Sequence, residues 1–243
     1  MVRAQVDKVQ DRGWKKQRDQ GVHNIRPHKL FNLVKTPSYL DRMVQMVLPE
    51  QNTPTLMDTA VLLALARLVR PRTIFEFGTY MGFQTLNLAA NFPETRIYTL
   101  DLDEASFQGL QQDVNDKPLT QTYLEYQGKL AFLNTPYEKR ITRLYGDSNR
   151  YDFSGLLSQM DLIYVDGGHD PVTLDSDTKN AFGLISDGNA GCIAWHDHGN
   201  PLYPQVEEYL GKLSDSRNLF HVEESWTTFF LRNSEGLVAQ LKS

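Results

Sequence analysis

Thr73-Ile74-Phe75-Glu76-Phe77-Gly78-Thr79-Tyr80-Met81-Gly82 is a β-branched and aromatic run that stops at a glycine, and helical character returns from Thr85 to Ala90. The spacing predicts strand, turn, helix. In an open α/β sheet such a turn lies at the carboxyl end of its strand, where backbone N–H groups and the positive end of the following helix face a ligand crevice. Gly78 and Gly82 let the backbone approach a ligand closely. The dinucleotide fingerprint G-x-G-x-x-G is absent, because Tyr80 and Phe83 occupy its second and third glycine places. A bound pyrophosphate is disfavoured.

The same alternation extends outward from this turn. Strands are predicted at Arg96–Leu100, Ile141–Tyr145, Leu162–Val165 and Cys192–Trp195, with helices at Val172–Ile185 and Gln205–Leu213. Upstream, apolar residues recur at helical spacing from Pro37 to Leu48 and from Thr53 to Val69. The runs Leu219–Val222 and Thr227–Leu231, linked by Glu223–Trp226, predict an antiparallel hairpin at the sheet edge. The whole reads as a Rossmann-like α/β fold with a seven-stranded, mostly parallel sheet and helices on both faces. Residues 1–52 form a basic arm and helical extension, and residues 53–243 form one domain. The polar, Gln-rich stretch at about 113–139, bounded by Pro118 and Pro136, is an insertion with one helix around Tyr123–Leu133.

Composition agrees with one globular domain of 243 residues, 40% hydrophobic and 23% charged. Cys192 is the only cysteine, so an intramolecular disulfide and a thiolate metal cluster are excluded, and a cytoplasmic setting is expected. No apolar run suggests a signal peptide or a membrane span. Residues 1–30 hold eight Lys or Arg against three Asp within a chain of net charge −5. Arg3, Lys8, Arg12, Lys15, Lys16 and Arg18 suit a solvated helix better than a nucleic-acid contact, since no aromatic platform accompanies them. A homo-oligomer is compatible with the sequence, which carries no signal for or against it.

Two later strands end in acids: Leu100-Asp101-Leu102-Asp103 and Gly146-Asp147-Ser148. Carboxylates that accept from a ribose and an adenine amino group, without a phosphate clamp, suit a nucleoside-like sulfonium ligand. The plainer reading is that Glu76 and the glycines only shape a turn and that Asp101 and Asp103 cap a helix. Glu76-x-Gly78-x-x-x-Gly82, Asp101 and Gly146-Asp147 together resemble the first motifs of class I S-adenosylmethionine (SAM)-dependent methyltransferases, over about residues 55–232. The resemblance implies that the turn (Glu76, Gly78, Thr79, Tyr80, Gly82) wraps the methionine part of SAM. It also implies that Asp101 and Leu102 meet the ribose, that Asp147 and Ser148 lie by the adenine, and that Asp166 borders the cofactor.

Asp161-Leu162-Ile163-Tyr164-Val165-Asp166-Gly167-Gly168-His169-Asp170 and Gly191-Cys192-Ile193-Ala194-Trp195-His196-Asp197-His198 end the next two strands. They bring three of the six histidines to one rim. A neutral histidine there can take the proton of a hydroxyl acceptor, or a divalent cation can lower the acceptor's pKa. The plainer readings are a turn at Asp166-Gly167-Gly168, packing for His196 and a helix cap for His198. This half resembles the metal-dependent small-molecule O-methyltransferases of the catechol and macrocin types, and the cephalosporin hydroxylase-like group. The resemblance implies Asp166, His169 and Asp197 as catalytic residues, with His169 the base. It implies Mg2+ or another divalent cation on Asp166, Asp197 and His198, although His198 stands where that family has Asn or Asp, which favours a softer ion or none. O-methylation of a small-molecule or saccharide acceptor is expected; a different reaction on the same fold and a non-catalytic SAM-binding role are the alternatives. Tyr80, Tyr151, Trp195 and Trp226 are candidates for the pocket wall, Trp14, His23 and His28 for a lid, and Asp175 and Asp177 for solvated positions.

Overall fold

The computed structural model describes residues 21–34, 56–107, 110 and 112–242. The described residues begin with a short strand β1 (His23–Ile25) and helix α1 (Pro27–Leu33), and α2 (Leu56–Val69) is the next element described. The parallel core follows as β2 (Thr73–Phe77), α3 (Phe83–Asn91), β3 (Arg96–Asp101) and the single turn α4 (Glu104–Phe107). Next come α5 (Asp116–Tyr126), β4 (Ile141–Tyr145), β5 (Leu162–Val165), α6 (Pro171–Leu184), β6 (Gly191–Trp195) and α7 (Pro204–Ser214). The antiparallel pair β7 (Leu219–Val222) and β8 (Thr228–Arg232) and helix α8 (Glu235–Lys242) complete it.

Among the described residues one sheet of eight strands runs β1-β7-β8-β6-β5-β2-β3-β4, parallel except for β8, which is antiparallel to β6 and to β7. The chain moves outward from β2 through β3 to β4, then returns to β5 on the other side of β2. The strand order therefore reverses between β2 and β5, and their carboxyl ends flank the crevice where such sheets bind ligands.

Successive residues of each strand serve opposite faces, as the pleat requires. Ile74, Tyr164 and Ala194 pack with α2 residues such as Val61, Leu62 and Leu65 and with Leu30 of α1. Phe75, Ile163 and Trp195 pack on the other face with Leu174 of α6 and Val206 of α7. Strands buried on both sides explain why β5 and β6 are apolar throughout. Among the described residues no helix is long and apolar enough to cross a membrane.

The sheet has one strand more than the seven read from the sequence. The addition is β1, parallel to β7 with His23 opposite Phe220, so the hairpin is not the sheet edge. Three residues are too few to show a period of two. The insertion helix lies at Asp116–Tyr126, earlier than Tyr123–Leu133, because Pro118 fits a first helical turn, where its missing N–H costs nothing. The chain after it is irregular and packs Leu130 and Phe132 against Leu86 and Tyr123. The predicted helix at Pro37–Leu48 lies outside the described residues, as do residues 1–20 with Trp14.

Ile25 and Leu30 are fully buried in the core. Leu30→Ala is therefore expected to cost about 2–5 kcal/mol in urea unfolding, within a single transition shared with the sheet; an unchanged midpoint would detach this segment from the core.

Candidate functional site

The turn after β2 is held by backbone geometry. Gly78 has φ +88°, and a Cβ there would sit 2.0 Å from the carbonyl oxygen of Asp166; Gly82 has φ +76°, and a Cβ there would meet the Phe132 ring at 2.7 Å. Tyr80 is also left-handed, at φ +44°. The Gly78 N–H donates to the Leu100 carbonyl at 2.9 Å. Asp101, closing β3, accepts from Thr79 N and Tyr80 N on one oxygen and from Leu102 N on the other, each at 2.8 Å. Burial raises its pKa to about 6 even against these three donors.

Glu76 lies beneath the turn rather than facing the crevice. Its carboxyl is buried and accepts from the Thr85 hydroxyl of α3 and the Thr99 hydroxyl of β3, the latter at 2.7 Å. Desolvation raises its pKa to about 8, so it ties strand to helix largely in the neutral form.

Beyond β4, a cavity of about 740 Å³ is bordered by Ser106, Tyr145, Asp147, Tyr151, Val172 and Thr173. One oxygen of Asp147 accepts from Asn149 N at 2.9 Å and Asn149 Nδ2 at 3.1 Å. Ser148 instead bonds the carboxyl of Asp177. Asp177 is buried, contrary to the solvated position expected, because α6 turns it inward beneath Gly167. Burial raises its pKa to about 7. Asp175, on the outer side of α6, pairs with Lys179 at 2.5 Å.

The chemically dense group lies at the ends of β5 and β6. His169 is pinned at both ring nitrogens: Nδ1 is 2.7 Å from Asp116 Oδ1 and Nε2 is 2.8 Å from Asp197 Oδ2. The His169 backbone N–H donates to the other Asp116 oxygen at 2.8 Å. The Tyr203 ring stacks on the imidazole with centroids 3.7 Å apart. Gln205 Nε2 donates to the His169 carbonyl at 3.0 Å and to Asp113 at 3.1 Å. Burial by itself would lower the His169 pKa, but the hydrogen bonds and charges of Asp116 and Asp197 outweigh it and raise the value to about 10.

His196 sits beside this group, with Nδ1 2.9 Å from Asp197 and 3.2 Å from Asp166, and Nε2 3.7 Å from Asp58 of α2. Desolvation opposes its charge, yet Tyr164 and the two carboxylates hold its pKa well above the ordinary value. Asp197 is held well below the carboxylate range by the two imidazoles despite its own burial. Donor atoms of Asp166, His169 and Asp197 all lie within 4.8 Å of one another, close enough to share one cation.

His198 does not join them, and the expected set Asp166, Asp197 and His198 is corrected here. Its Nδ1 meets the Thr228 hydroxyl at 2.8 Å and its ring stacks on His221 at 4.4 Å, buried against the hairpin. The reason is local: Asp197 has φ +63°, which turns the chain and ends the alternation that would keep residues 196 and 198 on one side. Trp195 is likewise no pocket wall; it is fully buried and donates to Thr178 at 3.0 Å. Trp226 lies near the site, its ring 5.9 Å from His196 and its N–H on Asp58 at 2.7 Å. His23 stands in the edge strand with its ring 5.4 Å from Phe220, and His28 lies on α1.

Two outcomes are expected. Gly78→Ala forces a left-handed backbone on alanine, about 1–3 kcal/mol before any clash with Asp166, and should lower the thermal midpoint; an unchanged midpoint would refute the close approach. His169 has a folded pKa near 10 against an ordinary 6.5, so its protonation stabilises the fold fully below pH 6.5, and the effect fades as pH rises through about 10. The gap in thermal midpoint between wild type and His169→Gln should shrink over that window; a gap constant from pH 6 to 10 would contradict the ion pairs.

A family model described as a methyltransferase domain matches residues 75–198, half of this chain. None of the curated protein sequences matches. Among solved structures, the calicheamicin methyltransferase CalS11 is 17% identical, with 85% of this chain and 91% of that one covered at a TM-score of 0.50. The S-adenosylhomocysteine (SAH)-bound methyltransferase PaMTH1 of Podospora anserina is 15% identical, with 94% and 95% covered at a TM-score of 0.49. At such identity the first likeness speaks for the fold alone, while the family rests on the sequence match. The chain belongs to the methyltransferase domain family and is a SAM-dependent methyltransferase.

Proposed function

We propose that the enzyme moves the methyl group of SAM onto an oxygen of a small-molecule or saccharide acceptor, activated at Asp166, His169 and Asp197. The observation that carries this reading is the convergence of those three side chains, within 4.8 Å, at the strand ends that flank the Gly78 turn. SAM is assigned to Gly78, Thr79, Tyr80 and Gly82 at its methionine part, with Glu76 bracing the turn from below. Asp101 and Leu102 take the ribose, Asp147 and Ser148 the adenine side, and Asp166 the border with the acceptor. Asp101 retains lone pairs for ribose hydroxyls after its three backbone bonds.

An attacking hydroxyl must lose its proton as it meets the methyl carbon. His169 is the candidate base, and it can accept a proton only when its Nε2 is deprotonated and drawn off Asp197. A divalent cation is the second way, favoured by the shared reach of Asp166, His169 and Asp197. Such an ion would lower the pKa of the hydroxyl and orient it.

The test is incubation with SAM and a panel of catechols and glycosides, followed by mass spectrometry. Transfer of one methyl group with release of SAH is expected; oxygen incorporation without SAH would instead support a hydroxylase-type reaction. His169→Ala should keep SAH binding and lower turnover about 10²–10⁴-fold, whereas Asp101→Ala should weaken SAH binding at least about tenfold. Equal calorimetric affinity in Asp101→Ala would remove the ribose assignment.

A further inference from the structure

We propose that Thr173 and Asp177, one turn apart on α6, are positioning residues that tie the cofactor-side loop from Gly146 to Asn149 to the rim loop from Asp166 to His169, so that filling the cavity beside Asp147 sets the place of His169. The inference rests on the assignment of adenine to the Asp147 side and of His169 to the reacting rim. It adds how the first is felt at the second.

The helix that joins them is a fixed platform. Asp170 caps it, accepting from Val172 N and Thr173 N at 3.1 Å each, so α6 is anchored one residue after His169. Its body is held on the sheet by the buried Leu174, Ala181 and Leu184, and Thr178 accepts from the indole N–H of Trp195 in β6 at 3.0 Å. Residues four apart share one face of a helix. The face shared by Thr173 and Asp177 carries both loops.

The rim loop lies flat against that face. A Cβ on Gly168 would sit 2.9 Å from Thr173 Cγ2, and a Cβ on Gly167 would sit 2.9 Å from Asp177 Oδ2. The two side chains fill the space that β-carbons would need, and the backbone leading to His169 rests directly on them.

The same two side chains hold the cofactor-side loop. Asn149 Nδ2 donates to Thr173 Oγ1 at 3.0 Å and to Asp147 Oδ1 at 3.1 Å. The Ser148 hydroxyl donates to the Asp177 carboxyl. Asp147, Asn149 and Thr173 all border the cavity of about 740 Å³. A ligand there meets a run of contacts, Asp147 to Asn149 to Thr173 to Gly168, that ends beside His169, and close-packed groups pass a displacement on rather than absorb it.

Stability does not account for Asp177. Its Oδ1 is buried with no hydrogen-bond partner among the described residues. A buried carboxyl bonded on one side only costs free energy, and burial pushes its pKa up to about 7. What the acid supplies at that place is the hold on Ser148 beneath Gly167.

The test is nitrogen NMR of the full-length protein labelled in histidine, recorded as SAH is added, with His169→Gln identifying the His169 signals. SAH is expected to displace them in the wild type. Thr173→Val keeps the shape and removes the hydroxyl, so SAH binding should weaken about 2–10-fold, and at saturation the His169 displacement should be smaller. Gly168→Ala, whose methyl group meets Thr173 Cγ2, should move the His169 signals before any ligand is added. Adding Thr173→Ser, which removes Cγ2 and keeps the hydroxyl for Asn149, should return them; a general loss of stability gives no such rescue. A full displacement retained in Thr173→Val, or Gly168→Ala signals that Thr173→Ser fails to return, would overturn the proposal. SAH binding to the wild type with His169 unmoved would remove the tie and keep the cofactor assignment, whereas no SAH binding at all would remove both.

Discussion

The site depends on the contact between the carbonyl of Asp166 and the bare α-carbon of Gly78. The ends of β2 and β5 meet there so closely that a single methyl group would collide with the neighbouring chain. Because Gly78 has no side chain, the turn reached by Asp101 and the rim carrying Asp166 share one crevice instead of lying a side chain apart. Methyl transfer needs donor and acceptor in near contact, and under the proposed assignment this backbone approach is what would bring the two halves of the candidate site together.

The two halves are stabilised differently. At the turn, backbone N–H groups are satisfied by a carboxylate from the neighbouring strand, so the geometry is fixed by short local bonds. At the rim, imidazoles are fixed between carboxylates drawn from four places in the chain: Asp58 on α2, Asp116 on α5, and Asp166 and Asp197 after β5 and β6. Such a cluster is stable only while every member stays paired. Loss of one carboxylate would leave the remaining charges buried without their partner.

Much of this was legible because strand-end motifs are local. Gly78, Gly82, Asp101 and Asp147 lie at ends of apolar runs whose period can be read directly, and the parallel sheet follows from their alternation with helices. Asp116 was not legible: it meets His169 across 53 residues, from a stretch recognisable only as polar. Asp58 carries no local signal in the sequence, because its partner Trp226 lies 168 residues away. His198 was assigned to the wrong neighbours because a single left-handed residue, Asp197, redirects the chain, and an aspartate carries no mark of that conformation. β1 was missed for want of length.

That short strand has a consequence for the integrity of the sheet. By pairing with β7, the three residues His23–Ile25 cover hydrogen-bonding groups that would otherwise form an open rim of an apolar strand. Open rims of this kind recruit strands from other molecules, and a very short covering strand offers little to recruit with. Loss of His23–Ile25 would bare the backbone of Leu219–Val222 to its neighbours and at the same time take Ile25 out of the core.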